Sequence, residues 1–510
     1  MSTGVAGSAE EREARPTPSL FEALLPILTM AALLGAGAAL GRLTAESLVV
    51  VLLVAAGVAG GIAARHGQGW EAVQRSAGEK IAAVLPALLI LLAIGMLIGT
   101  WVLSGSIPFL VYWGVRLVDP RFLVLTSFLA TAAMSLATGT SWGSAGTIGV
   151  ALMGTATALG ASLPATAGAI VSGAYLGDKM SPLSDSTNIC AIGAGAPLYS
   201  HIRHMLYTAT PSFLVATAVY ALAGRSAAPA AGSAAAATLL ADLERVYSLD
   251  WIVLAPVGVV VWGIVRQVQP ALAMTVSAVT ACALGVFWQG FHGADALTAA
   301  VSGFSVSMTT AVGVEPASLG PAFAALVERG GLYSMATTLV VVVAAFLLAA
   351  AMDVSGALDL LIRRLLATVR SVFGLIAATM AAGATTIGLT SHGGVTALVI
   401  GGLFQRSYDE RGLARVNLSR SLEDSVTIVE PLMPWTVSAV FMAATLGVPT
   451  LAYAPWAVFC YGGPIASLLL AALYRRTRFG LREAAPPLPQ PPASAGPQEA
   501  AGSAARRRSQ

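Results

Sequence analysis

Charge is what this sequence has least of. Only 10% of its 510 residues are Asp, Glu, Lys or Arg, against about 25% in soluble globular domains. With 56% apolar residues and a mean hydropathy of +0.78, the chain cannot build a charged, solvated surface around one core, which leaves a polytopic membrane protein. The few charges are nearly balanced, 28 basic against 25 acidic, so the strongly basic face that binds nucleic acid is missing. Cysteine is scarce too. Cys190, Cys282 and Cys460 lie in or beside apolar runs without metal-ligand spacing, which excludes a disulfide frame and reads as small core residues. No Ser/His/Asp or metal-ligand constellation occurs at useful spacing, so neither an enzyme nor a bound cofactor is expected. A cleavable leader is not evident: the first residues carry mixed charge (Glu10, Glu11, Arg12, Glu13, Arg15), and the apolar run after them is long enough to remain as a span.

What the chain has in abundance is apolar runs of spanning length. They fall near 20–40, 47–64, 81–103, 121–138, 145–160, 163–176, 204–224, 251–267, 270–289, 331–352, 371–389, 393–405 and 429–473, the last a pair. Segments 107–118, 294–312 and 355–366 are short or amphipathic and are expected to be re-entrant or interfacial. The expected architecture is an all-α polytopic membrane protein with about 11–13 transmembrane segments. Its first half would span 19–224 and its second 249–475, joined by a flexible linker at 225–248. Disordered tails are expected at 1–18 and 476–510.

The two halves echo one another. Thr140-Ser141-Trp142-Gly143 matches Thr390-Ser391-His392-Gly393, and Leu183-Ser184-Asp185-Ser186 faces Leu422-Glu423-Asp424-Ser425. Upstream, Val-Leu-Ser-Gly at 102–105 faces Asp-Val-Ser-Gly at 353–356. Chance matching in small-residue sequence is the competing explanation, and the shared order argues against it. Basic residues cluster in non-corresponding loops: Arg65, Arg75 and Lys80 before one repeat, but Arg406, Arg411, Arg415 and Arg420 inside the other. Because basic loops stay in the cytoplasm, the repeats are expected to be inverted, with broken or re-entrant helices meeting near the midplane.

Those breaks concentrate the polar chemistry. At the bilayer centre each charge costs roughly 2.5–3.5 kcal/mol on the insertion scale, yet 177–188 packs Asp178, Lys179, Pro182, Ser184, Asp185, Thr187 and Asn188 together. Pro182 removes a helical hydrogen bond and frees carbonyls nearby. Asp185 and Asn188 share a helical face, as do Asp424 and Thr427. Oxygen donors of this kind can seat a hard cation, with Na⁺ expected at Asp185, Asn188 and Thr140, and with Ser141, Ser184 and Thr187 beside it. An acid removed from bulk water keeps a proton or takes a cation, and that competition is antiport in its simplest form. Lys179 is the expected counter-charge for Asp178 or Asp185; a solvated interfacial pair is the alternative for Asp178 and Lys179. Glu423 and Asp424 could instead N-cap a helix with Ser421, whereas Glu430 lies deeper in an apolar run. His392 is a candidate proton relay or an ordinary hydrogen-bonded histidine. The Thr138–Thr147 stretch could alternatively be a small-residue packing face.

Gly-Thr-Ser-Trp-Gly-Ser-Ala-Gly-Thr-Ile-Gly at 139–149 and Gly-Asp-Lys-Met-Ser-Pro-Leu-Ser-Asp-Ser-Thr-Asn at 177–188 resemble signatures of the NhaC-type sodium/proton antiporters. Leu-Ser-Arg-Ser-Leu-Glu-Asp-Ser at 418–425, followed by Pro-Leu-Met-Pro-Trp at 431–435, is similar to that family's second signature. The resemblance implies a multi-pass protein of the cell (inner) membrane that exchanges Na⁺ for H⁺ by alternating access. Asp178, Asp185 and Asn188 would then be the ion site, with Thr140 and Ser141 as helpers. It also leaves open an organic-acid exchanger of the malate/lactate type. Expected partners are Na⁺, H⁺ and the lipid bilayer, and a homodimer is compatible with the sequence.

Overall fold

The computed structural model describes residues 18–40, 44–224, 232–367, 369–391 and 393–484. Among these the only β pairing is an isolated bridge between Leu413 and Glu483; the regular elements are helical. Among the described residues, eight helices are long and apolar enough to cross a bilayer, or eleven if each of three bent pairs counts as one span. The lower end of the expected count is therefore reached only through bent pairs. The sharpest bend, 95°, joins Ala236–Val246 to Trp251–Val265. Of the expected linker, 225–231 lies outside the described residues, and Gly232–Val246 is a helix that buries Leu239, Leu243 and Val246. Residues 1–17 and 485–510 of the expected tails lie outside the described residues as well.

The helix Leu163–Met180 is not among the long apolar spans, and its composition explains why. It is rich in Ala, Gly and Ser, and it is buried around nearly its whole circumference. Small residues let it lie directly on Leu123–Thr138, as expected where close backbone approach stabilises helix pairs in lipid. Asp185–Ala194, beyond the break, packs on Gly393–Asp409 and Arg415–Leu422 of the other half. The halves are thus stitched together at their discontinuous segments.

A repeat is present in the backbone, in a register different from the one the sequence echo suggests. Ser104–Gly105 and Ser355–Gly356 end two long helices alike: each glycine has positive φ (82° and 71°). Each serine hydroxyl also accepts from the N–H two residues on, both at 3.4 Å. Further along, Ser184 and Thr436 both N-cap short helices, Asp185–Ala194 and Val437–Leu446, which end at left-handed Gly195 and Gly447. The Ser104/Ser355 pair is separated by 251 residues, and the Ser184/Thr436 and Gly195/Gly447 pairs by 252 each. The same offset relates Thr138 to Thr390, whose hydroxyls meet Ser144 Oγ and Thr396 Oγ1 respectively. Left-handed Gly139 accordingly matches left-handed Ser391. The Thr140/Thr390 alignment is therefore off by two residues. The Leu183/Leu422 alignment is off by more, because Asp185 corresponds to Val437 and Asp178 to Glu430. Short words of Leu, Ser and Asp recur in this composition; the caps and turns identify true equivalents.

Gly193 shows how closely the halves approach. A Cβ there would come 2.6 Å from the carbonyl oxygen of Ala397, which is backbone and cannot yield. Gly193→Leu is expected to destabilise the protein by about 1–3 kcal/mol, read as a lower thermal unfolding midpoint in detergent. Gly402→Ala, with open space around it, should leave the midpoint unchanged or slightly raised.

Candidate functional site

The first break begins where Leu123–Thr138 stops at left-handed Gly139. Thr140 then N-caps a new helical turn, its hydroxyl accepting from Gly143 N–H at 3.2 Å. The cap aims Ser141 at the end of the central helix, where its hydroxyl donates to Asp178 Oδ2 at 2.7 Å. That helix ends at Met180 because Ser181 is extended ahead of Pro182. Ser184 and Ser186, at the start of the next helix, both donate to Asp178 Oδ1, the second at 3.3 Å. The freed carbonyls of Asp178 and Lys179 are taken by Thr187 Oγ1 at 2.9 and 3.0 Å. Asn188 spends its amide on the carbonyls of Pro182 and Ser184. Half-buried Asp178 is thus ringed by three serine hydroxyls, on a turn whose carbonyls are held by Thr187 and Asn188.

Glu430 occupies the equivalent place in the second half. Thr436 Oγ1 donates to its carbonyl at 2.6 Å, and Ser438, the counterpart of Ser186, faces its carboxylate. Gly393 stands where Ser141 stands in the first half, and a Cβ there would lie 3.1 Å from Glu430 Oε2. The longer acid fills the space that the serine side chain fills in the other repeat. Both acids line one cavity of about 540 Å³, with Ser141, Tyr175, Asp185 and Thr427 also in its wall. No Lys, Arg or His is among the described residues of that wall.

Behind the cavity lies a buried ion pair. Lys179 and Asp424, both fully buried, meet across the two halves, and Thr208 Oγ1 lies 3.2 Å from Lys179 Nζ. Asp424 sits in a widened helical turn, Glu423–Thr427, that is buried throughout. Glu423 Oε2 and Asp424 Oδ2 have no hydrogen-bond partner among the described residues. Ser186 Oγ lies 3.4 Å from Glu423 Oε1 as well as near Asp178, so one hydroxyl touches the cavity acid and the buried acid.

Two stretches of the chain, 20–196 and 173–473, match the Na⁺/H⁺ antiporter family. This chain belongs to that family. A Haemophilus influenzae protein described as an uncharacterized Na⁺/H⁺ antiporter is 42% identical over 457 residues, which is 89% of this chain and 96% of that one. The Na⁺/H⁺ antiporter NhaC of Alkalihalophilus pseudofirmus is 34% identical over 84% of this chain and 89% of its own. A malate-2H⁺/Na⁺-lactate antiporter of Bacillus subtilis is 29% identical over 77% and 82%. The chain is a multi-pass membrane protein of this antiporter family, and its NhaC-type resemblance is sound.

The antiporter does not assemble the expected sodium ligands into one set. Asp185 is exposed at the cavity wall, Thr140 is used as a cap, and Asn188 braces the turn. Asp178, Ser141 and Ser184 do converge, and Thr187 supports the backbone behind them. Lys179 pairs with Asp424 rather than with Asp178 or Asp185, because its side chain leaves the helix on the face turned toward the second half. Glu423 and Asp424 do not cap a helix start; they are buried within a continuous helical stretch. Thr427 lines the cavity with its hydroxyl 3.9 Å from Cys190 Sγ. His392 lies outside the described residues. Sequence reasoning missed Ser186, Ser438 and Tyr175, which the 252-residue register and the turn after each acid would have exposed.

Removing one member of a buried pair strands the other charge. Lys179→Met or Asp424→Leu alone should each destabilise the protein by about 3–5 kcal/mol, while the two combined should recover most of that loss. Thermal unfolding in detergent, analysed as a double-mutant cycle, checks both expectations.

Proposed function

We propose that this chain exports Na⁺ in exchange for protons across the cell (inner) membrane, by alternating access to the shared cavity, with Asp178 as the carboxylate that takes the cation. The observation carrying this reading is the ring of three serine hydroxyls around Asp178 in a cavity wall without a described basic side chain. A serine hydroxyl that donates to the carboxylate also has lone pairs, and a modest rotation offers them to a hard cation. Hydroxyl and carboxylate oxygens then replace water around Na⁺. A transported organic acid would meet the carboxylates of Asp178, Asp185 and Glu430 in that wall and no described Lys, Arg or His, since Lys179 is paired with Asp424.

Access from the two sides follows from the architecture. Each acid sits where its helix is interrupted, and the interruptions of the two halves face one another. Small movements of one broken segment against the other would open the cavity to one side while closing it to the other. Exposed Asp185 adds negative charge at the wall and draws cations in.

In everted vesicles holding a preformed proton gradient, added Na⁺ should dissipate the gradient. Asp178→Asn should abolish the response, whereas Asp185→Asn should raise KM for Na⁺ a few-fold and keep kcat. Absence of any Na⁺ response from mildly acidic to alkaline pH, or proton movement evoked by malate or lactate in its place, would overturn the proposal.

A further inference from the structure

We infer that the exchanged proton is carried by Glu430, in a second seat facing the same cavity, while the cation is carried by Asp178. This rests on the antiport reading and assigns its two cargoes to different acids. The two carboxylates are equivalents in the 252-residue register, but their surroundings are unequal. Asp178 receives three hydroxyls. At Glu430 the counterpart of Ser141 is Gly393, which has no side chain to offer. The counterpart of Ser184 is Thr436, whose hydroxyl goes to the carbonyls of Glu430 and Met433 rather than to the carboxylate. A hard cation needs several oxygens at once, and the second seat has given most of its own away.

A proton needs only one acceptor, and one is waiting. Tyr175 is 2% exposed, lines the cavity, and its hydroxyl has no hydrogen-bond partner among the described residues. It lies on the central helix one turn before Asp178, in the electrostatic neighbourhood of both acids and of Ser438. A protonated Glu430 can donate to Tyr175 Oη and satisfy it, whereas a metal ion at Glu430 would leave that seat short of ligands. Among the described residues, the other titratable groups around Glu430 are already placed: Asp178, Asp185 and Cys190 in the cavity wall, Tyr453 donating to the carbonyl of Pro431, and Lys179 with Asp424 and Glu423 sealed behind.

Coupling then follows from charge. A cation at Asp178 and a proton at Glu430 repel across one cavity, so each weakens the binding of the other by the same factor, which for linked sites is typically about 5–150-fold. Raising the pH strips the proton from Glu430 and must therefore tighten Na⁺ binding. A single acid contested by both ions would give the same trend in the wild type, and variants separate the two cases.

The test uses full-length protein purified in detergent, with Na⁺-dependent thermal stabilisation measured across pH. The wild type should bind Na⁺ more tightly at alkaline than at acid pH, within about the 5–150-fold range. Glu430→Gln should keep Na⁺ binding and lose its pH dependence, and in vesicles should no longer move protons in response to Na⁺. Tyr175→Phe, which removes the acceptor and keeps the ring, should bring Na⁺ affinity at acid pH closer to the alkaline value. If Glu430→Gln retains the wild-type pH dependence, the proton competes at Asp178 and the inference falls. It falls equally if Glu430→Gln loses Na⁺ binding, since Glu430 would then be a cation ligand. Should Glu430→Gln fail to fold, an unchanged pH dependence in Tyr175→Phe overturns the inference by itself. A wild type that moves no protons when Na⁺ is added is a different failure, that of the antiport reading.

Discussion

The buried Lys179–Asp424 pair ties the two halves together directly behind the cavity they share. Both side chains are fully buried, each comes from the discontinuous segment of a different half, and each would be costly to leave alone in a low-dielectric interior. Their neighbours on the chain are the residues that face the cavity. Asp178 precedes Lys179 directly, and Thr427 and Glu430 follow Asp424 on the same stretch. Fixing the pair therefore fixes the distance and orientation between the two acids. It also engages Lys179, and no described Lys, Arg or His reaches the cavity wall, which suits that wall to positive cargo.

Around that pair, backbone and side chains divide the labour. Thr187, Asn188 and Thr436 satisfy the carbonyls that a broken helix exposes, so the breaks are stable without any ion. The serines around Asp178 are then free to exchange one partner for another. Glu430 has the same turn and a poorer oxygen supply because a glycine faces it. Repetition supplied two similar acids, and a serine-to-glycine difference made their chemistry unequal.

Much of the fold was legible beforehand. The apolar runs placed most long helices, and Asp178, Ser141 and Ser184 stood out because charge and hydroxyls so deep in an apolar chain need a use. What misled was local similarity: Leu-Ser-Asp-Ser and Leu-Glu-Asp-Ser look alike, yet the first starts a helix and the second lies inside one. Asp185 was overvalued because helical spacing puts it beside Asn188 but cannot say that this face is turned to the open cavity. Glu430 was singled out for its depth, and its kinship with Asp178 was hidden because Glu-Pro-Leu-Met-Pro-Trp shares few letters with Asp-Lys-Met-Ser-Pro-Leu.

Composition and periodicity by themselves determined that this is a helical membrane protein with polar breaks in both halves, because a bilayer admits few other uses of so apolar a chain. Only the tertiary structure decided that Asp178 and Glu430 line one cavity, that Lys179 answers Asp424, and that Tyr175 reaches the same cavity wall. Those facts depend on which face of each helix turns inward across a separation of some 250 residues, and no local pattern in the chain encodes a direction in space.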